Sequence, residues 1–318
     1  MRTAIAPGSK EWHEIRKEVI GGTDIGAIVE VNPWKTAMDV YCEKLGLTDP
    51  PAENEKMRLG KRLERVVADL YLEKMGMDSV NMCPGEFLRV EHFGGTPDFL
   101  ISSPAGVWGL EIKTTGARNA ADWGDEGTDQ IPEVYLCQCH WYMMLTGMKR
   151  WDVAVLIGGQ EFRTYIIQHD EALENNLRSQ ANDFWHNHVE PEIPPPLDGG
   201  KGSERYLKAV FPRDLKSNLD PSSPAIDLLA EQYDAALQTL RDAQEISDRL
   251  GNEIRSRIGE GSGIAGANWQ ATWKKAKDTT VIDWQAIATE LLAPQELIAK
   301  HSSIKLGSRR FLFKTFGG

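Results

Sequence analysis

Long apolar runs are missing from this sequence. A stretch such as Val153–Gly158 is as extended as they become in 318 residues, whereas a membrane-spanning helix needs about 20 apolar residues. Residues Met1–Lys10 carry no apolar leader, so the chain reads as cytoplasmic, with no membrane contact. Cysteine is scarce: there are four, without a C-x2-C pair. Cys42 and Cys83 stand apart, and Cys137 and Cys139 flank Gln138 in a stretch with helical patterning, where residues two apart diverge. That spacing argues against zinc and disulfides and favours reduced, packing thiols. Excess positive charge is also absent: 36 Lys and Arg face 47 Asp and Glu, for a net charge of -11. Such a chain does not coat nucleic acid non-specifically. It can still act on phosphates if its carboxylates hold divalent cations and its basic residues gather locally. The glycine-rich stretch Gly259–Gly266 lacks the Lys-Ser/Thr of a phosphate loop, so ATP is not expected. His186-x-His188 is no chelate on a helix, since the two rings point apart.

The remaining composition, 41% hydrophobic and 26% charged, is that of a globular protein. Periodicity predicts helices over Glu11–Val19, from Thr23 or Asp24 to Ile28, over Ala37–Leu45 behind a Thr36 cap, and over Met57–Met75. Strands are predicted over Glu86–Val90, Gly95–Ile101 and Val107–Thr114, the last two joined by a turn at Ser102–Gly106. A helix over Pro132–Leu145 follows, then a hairpin of Arg150–Ile157 and Glu161–Gln168 around Gly158-Gly159, then a helix over Asp170–Val189. The prolines and glycines of Pro191–Gly200 read as a linker. They divide a core, 1–198, from an appendage, 199–318. In the appendage, apolar residues three and four apart from Ile226 to Ile258 predict one long amphipathic helix. Strands are expected at Asn268–Lys275 and Arg309–Thr315 around a helix over Trp284–Leu292. Trp269, Trp273, Lys274, Lys275 and Lys277, like Arg309, Arg310, Phe311 and Lys314, mix aromatic and basic residues. That mixture suits a DNA backbone and equally an ordinary strand pair with a polar face.

One constellation carries chemistry. Thr96-Pro97-Asp98 is followed at hairpin distance by Gly109-Leu110-Glu111-Ile112-Lys113. Residues two apart in a strand share a face, so Glu111 and Lys113 point together while Leu110 and Ile112 enter the core. An antiparallel return brings Asp98 alongside. Two neighbouring carboxylates repel unless a cation joins them, and Mg²⁺ takes one or two carboxylates while keeping several waters. A lysine beside such a metal can orient or deprotonate a water, or stabilise charge on phosphorus. Glu-x-Lys alone is as well a surface salt bridge; the preceding Pro-Asp sets it apart.

These segments resemble the YqaJ-like viral recombinases, the lambda-exonuclease-like group of the PD-(D/E)xK nuclease superfamily. The matching stretches are Glu11-Trp-His-Glu-Ile-Arg16, Ile20-Gly-Gly-Thr-Asp-Ile-Gly26, Asn32-Pro-Trp-Lys-Thr36, Leu59-Gly-Lys-Arg-Leu-Glu64, Gly94-Gly-Thr-Pro-Asp98, Leu110-Glu-Ile-Lys113 and Tyr135-Leu-Cys-Gln138. They fall in the family's order over roughly residues 8 to 190. The resemblance implies a restriction-endonuclease-like α/β core, a mixed central sheet flanked by helices; the C-terminal helix-and-sheet appendage lies beyond it and reads as a DNA clamp, an oligomerisation arm or a docking surface. It implies a Mg²⁺-dependent double-stranded DNA exonuclease, Mn²⁺ substituting, without an iron–sulfur cluster, since no cysteine follows Cys139. Asp98, Glu111 and the Ile112 carbonyl match metal ligands, Glu64 a helix-borne acid that helps hold the metals, Lys113 the catalytic lysine and Gln138 an active-site amide. Arg16 and Thr23 match residues that bind a 5′-terminal phosphate, with Thr23 replacing a serine of phage lambda exonuclease beside a Gly21-Gly22 loop that lets backbone amides approach closely. Without the resemblance, Glu64 reads as a solvated acid among Lys61, Arg62 and Arg65, and Arg16 as the partner of a surface acid. The implied setting is a phage or prophage protein in a bacterial host, digesting 5′ to 3′ from duplex ends, partnered by a single-strand annealing protein and assembled as a homo-oligomer, ring-shaped in related enzymes. A DNA endonuclease of the same superfamily, and a non-catalytic DNA-binding scaffold for recombination, are the alternatives.

Overall fold

The computed structural model describes residues 2–3, 8–48, 54–77, 80–214, 221–267, 269–278 and discontinuous positions from 284 to 301. Two compact units divide the chain, Met1–Pro212 and Arg213–Gly318. The first begins with a two-residue strand, β1 (Arg2–Thr3), and four helices: α1 (Lys10–Lys17), α2 (Gly22–Ile28), α3 (Ala37–Lys44) and α4 (Glu55–Lys74). Five strands follow, β2 (Asn81–Pro84), β3 (Phe87–Val90), β4 (Phe93–Gly95), β5 (Phe99–Ser103) and β6 (Gly106–Thr115). The unit closes with α5 (Glu133–Thr146), β7 (Arg150–Ile157), β8 (Glu161–Gln168), α6 (Glu171–Phe184) and α7 (Lys201–Val210). Local chemistry sets these limits. Ser9, Thr36, Asn54 and Asp170 each accept a hydrogen bond from a backbone N–H in the first turn of their helices, and Asp39 returns a bond to the Thr36 N–H at 3.1 Å, a reciprocal cap. Gly147, with φ 73°, stops α5 in the left-handed region that costs glycine nothing.

The principal sheet has the order β2-β5-β6-β7-β8. Only β6 and β7 run parallel, and α5 makes the crossover that a parallel pair requires. A smaller sheet, β1-β3-β4, lies apart. Alternation along β6 decides which side carries chemistry. Leu110 and Ile112 join Trp108, Phe99 and Ile101 under Val67, Ala68 and Tyr71 of α4. On the other face, Trp151, Val153 and Val155 pack with Trp141 and Tyr142 of α5 and with Ile25 and Val40. Glu111 and Lys113 alternate with Leu110 and Ile112, and so emerge on the α5 face.

The expected strand over Gly95–Ile101 is split. Gly95 ends β4 in the small sheet, β5 begins at Phe99 in the large one, and Thr96-Pro97-Asp98 crosses between them. Gly95 has φ 150°, and Pro97 offers no N–H to a ladder. The helix expected to reach Val189 changes winding at Trp185, where α6 gives way to a π-helical turn over Trp185–Val189. Pro191–Gly200 does not end the first unit. Tyr41 donates to the Glu192 carbonyl at 2.8 Å, Arg205 of α7 pairs with Asp39, and a Cβ on Gly202 would stand 2.7 Å from the Thr36 hydroxyl. α7 therefore lies against α3 and belongs with Met1–Pro212.

In the second unit Ser223 caps α8 (Pro224–Ile258), a 35-residue helix. Part of the glycine stretch is strand: β9 (Gly263–Ala265) pairs antiparallel with β10 (Gln270–Thr272). A short helix, α9 (Gln295–Lys300), follows. The strand expected at Arg309–Thr315 lies outside the described residues, as do Arg309, Arg310, Phe311, Lys314, Asn268 and much of Trp284–Leu292. Among the described residues no helix is long and apolar enough to cross a membrane.

Candidate active site

Asp98 sits just before β5, and its backbone is fixed by Gly85, whose N–H donates to the Asp98 carbonyl at 3.1 Å. Its side chain accepts from the Ile112 N–H at 2.8 Å, which ties the crossing segment to β6. A strand residue's N–H and C=O leave on the same side, so the Ile112 carbonyl turns toward Asp98. On the α5 face, Lys113 Nζ reaches Glu111 Oε1 at 2.5 Å. Gln138 of α5 donates to the same oxygen at 2.7 Å and accepts from Lys113 at 3.2 Å. The Lys113 ammonium also lies over the Tyr135 ring, 4.8 Å from its centroid. Gly109 is needed here: a Cβ would come within 2.2 Å of the Trp151 indole that covers the strand.

Burial raises the Asp98 carboxyl above its usual range, against the pull of Lys113 and the Ile112 N–H. Burial and the neighbouring Asp98 push Glu111 up to about 8. Burial, then Asp98, lift Glu64 to about 7. Lys113 is buried too, yet Glu111 and Asp98 outweigh that and hold it above the ordinary lysine range. Crowded acids around one ammonium are the signature of a site short of positive charge.

A divalent cation fits this lack. Glu111 Oε2 is buried with no hydrogen-bond partner among the described residues, and the donors are carboxylate and carbonyl oxygens, the hard ligands Mg²⁺ prefers. The set is open rather than a closed cage. Glu64 borders the same cavity as Asp98 and Glu111.

A cavity of about 290 Å³ is lined by Asp98, Glu111, Ile112, Lys113, Glu64 and Gln138, and also by Arg16 and Thr23. All eight sequence-selected residues thus border one space. Arg16 donates to the Thr23 hydroxyl at 3.1 Å and stacks over Trp12 at 4.5 Å. The acid near Arg16 is not on the surface. It is Asp24, fully buried and 3.6 Å away, which also takes Lys35 at 2.7 Å and Lys44 at 2.6 Å. Burial would raise Asp24, but Lys35, Lys44 and Arg16 keep its carboxyl well below the usual range. Asp24, not Thr23, closes the start of α2, accepting from the Gly21 N–H at 2.9 Å. That amide is therefore occupied, and Gly22 has a packing role: a Cβ would lie 2.9 Å from Tyr142 and 3.2 Å from Gln138. Sequence reasoning missed Lys35 and Lys44; Lys35 sits inside Asn32–Thr36, one of the matching stretches, and no role was assigned to it.

His186 pairs with Glu190 at 2.7 Å, and His188 with the Ile193 carbonyl at 3.0 Å. All four cysteines are free thiols, three of them buried.

The pattern for the YqaJ-like viral recombinase domain matches residues 11–149. The protein YqaJ of Bacillus subtilis (strain 168), itself uncharacterized, is 30% identical over 277 residues, spanning 83% of this chain and 82% of that protein. The chain belongs to the YqaJ-like viral recombinase family. All eight of these residues fall within the matched segment, which ends before β7. The uncharacterized protein R354 of Acanthamoeba polyphaga mimivirus is 26% identical over 157 residues, 45% of this chain and 28% of its own length. Among solved structures, the alkaline exonuclease LHK-Exo of Laribacter hongkongensis aligns with a TM-score of 0.45 and 17% identity, over 58% of this chain and 94% of its own. A phage-related exonuclease of Haemophilus somnus 129PT aligns at 0.43 and 15%, over 55% and 96%.

Proposed function

We propose that this recombinase-family protein is a Mg²⁺-dependent double-stranded DNA exonuclease that digests from 5′ ends and leaves 3′ single-stranded tails. The observation that carries the reading is the shared cavity, in which the Asp98–Glu111–Lys113 group and the Arg16–Thr23 pair border one space. Asp98, Glu111 and the Ile112 carbonyl would hold the metal, Mg²⁺ or Mn²⁺. When bound, that ion polarises a phosphate oxygen and makes water more acidic. Lys113, kept protonated by its acids, stabilises charge developing on the attacked phosphate and does not take up a proton. Gln138 holds Glu111 and Lys113 in register, and Glu64, on the same cavity, would help hold the metal. Arg16 offers a planar fork of donors to a terminal phosphate, and Thr23 a hydroxyl. Behind them, Arg16, Lys35 and Lys44 face Asp24 and Glu43, one cation in excess. A terminal phosphate carries about one more negative charge than a diester, so this pair favours ends over continuing strand. We further propose a single-strand annealing protein as the partner for the 3′ tail, and a homo-oligomer as the working assembly.

The test uses linear duplex labelled at its 3′ ends, the same DNA as a covalently closed circle, and Mg²⁺. Mononucleotide release from 5′ ends with retention of the 3′ label is expected, and intact circles. Nicking or linearisation of circles would identify an endonuclease instead.

A further inference from the structure

A second concavity, of about 1200 Å³, adjoins the catalytic cavity, and Thr114 of β6 lines both. Helix α4 walls the two: Gly60 and Glu64 face the smaller space, Lys56, Leu59 and Leu63 the larger. The three residues facing the larger space are three and four apart, one helical stripe. Across from that stripe stands a series of aromatic rings. Trp123 is buried and stacks on Tyr135 with centroids 5.6 Å apart and planes at 25°. Trp34 extends the series, 6.5 Å from Tyr135 at 31°, and is 69% exposed. Its position is built, not incidental. Asn32 accepts from the Trp34 and Lys35 backbone N–H groups at 2.9 and 3.1 Å, an Asx turn that presents the indole outward. Lys56 and Arg118 stand at the same groove, with Asp122 and Glu133.

We propose that this groove is a path for single-stranded DNA, with Trp34 as the platform on which an unpaired base stacks; the proposal rests on the nuclease reading above. Aromatic faces bind bases without regard to sequence because every base has a π-face, and those faces are open only in a single strand. A duplex hides them. The mixture of aromatic rings, aliphatic flanks and few charges fits bases more than phosphates. The volume exceeds the roughly 300–1,000 Å³ typical of a small-molecule pocket, as suits several nucleotides in a row. Continuity through Thr114, and the Lys113 ammonium on the Tyr135 ring, place the stack beside the reacting centre. The strand in the groove is therefore one that enters or leaves the active site.

The test uses the full-length protein with a fluorescent oligothymidylate in Ca²⁺, followed by anisotropy, for wild type, Trp34→Ala and Trp34→Phe. Loss of one stacked base should weaken binding about tenfold in Trp34→Ala, with Trp34→Phe recovering most of it. An oligonucleotide carrying 5-iodouracil, irradiated and mapped by mass spectrometry, should cross-link at Trp34. Duplex digestion runs in parallel with both variants. If wild type digests duplex while Trp34→Ala binds the oligonucleotide normally and cross-links lie elsewhere, the groove proposal fails and the nuclease reading stands. A change in oligomeric mass without a change in oligonucleotide affinity would make this face a subunit interface and also overturn it. Equal displacement of the strand by thymidine monophosphate would make it a product site, not a strand path. If wild type neither binds nor digests DNA, both readings fall together.

Discussion

Asp24→Asn removes one charge and leaves three cations facing a neutral amide. In the native protein the Asp24 carboxylate is fully buried, with Lys44 at 2.6 Å and Lys35 at 2.7 Å. Lys35 retains Glu43 at 2.5 Å. Among the described residues Lys44 then keeps the Arg16 carbonyl, at 2.9 Å; its side chain is 2% exposed. Burial and its cationic neighbours already lower the Lys44 pKa, with Asp24 acting in the other direction. Breaking a buried pair in this way costs about 3–5 kcal/mol. In a unit of this size that corresponds to roughly 6–20 °C in melting temperature. The assay is thermal and urea unfolding of the full chain at pH 7. Lys44→Met added to Asp24→Asn should recover much of the loss, because it removes the stranded charge. The effect must also depend on pH. Asp24 has a folded pKa below its unfolded value of about 3.9, so its contribution is complete above that value and fades as pH falls toward the folded one. The gap between wild type and Asp24→Asn should therefore be widest near neutrality and close below about pH 4. A variant within about 1 kcal/mol of wild type at pH 7, or a gap that widens in acid, would refute the reasoning; 1 kcal/mol is the ordinary cost of a mutation.

Lys113→Ala should lower turnover by about 10²-fold with DNA affinity changed only a few-fold, measured as single-turnover rate against Kd; near-normal turnover would remove Lys113 from the chemistry. Arg16→Ala should erase most of the preference for 5′-phosphate over 5′-hydroxyl ends while slow digestion of hydroxyl ends persists, in a rate comparison on otherwise identical duplexes. A chain ending at Pro212 should fold and keep the cavity. One ending at Asp198 loses the α7 contacts to Asp39 and Thr36 and should melt earlier by calorimetry; equal melting of the two would show that α7 adds nothing to the first unit.

What the sequence made legible was local. Alternation in Leu110-Glu-Ile-Lys113 was enough to place Glu111 and Lys113 on one face, and helical spacing placed Glu64 and Gln138 on helices. The capping residue Thr36 was equally readable. Long-range partnerships were not. Asp24 has the local pattern of a helix cap, and nothing within its own segment reveals that Lys44, on another helix, is buried against it. The division of Gly95–Ile101 between two sheets depends on which strand Gly95 pairs with, and that is a property of the fold. Pro191–Gly200 has the composition of a linker, but Tyr41 holds it at Glu192 and Asp39 holds Arg205 just beyond it. Nothing near Trp34 in sequence shows that its ring lies beside Tyr135, which comes from beyond β6.

The most direct measurement is nucleotide release from 5′-phosphorylated linear duplex by wild type and by Asp98→Asn, titrated with Mg²⁺ and then quenched with excess chelator. Release that requires Mg²⁺, stops with chelator and is lost in Asp98→Asn is the expected result. Undiminished digestion in chelator, or by Asp98→Asn, would contradict a metal held by Asp98 and Glu111.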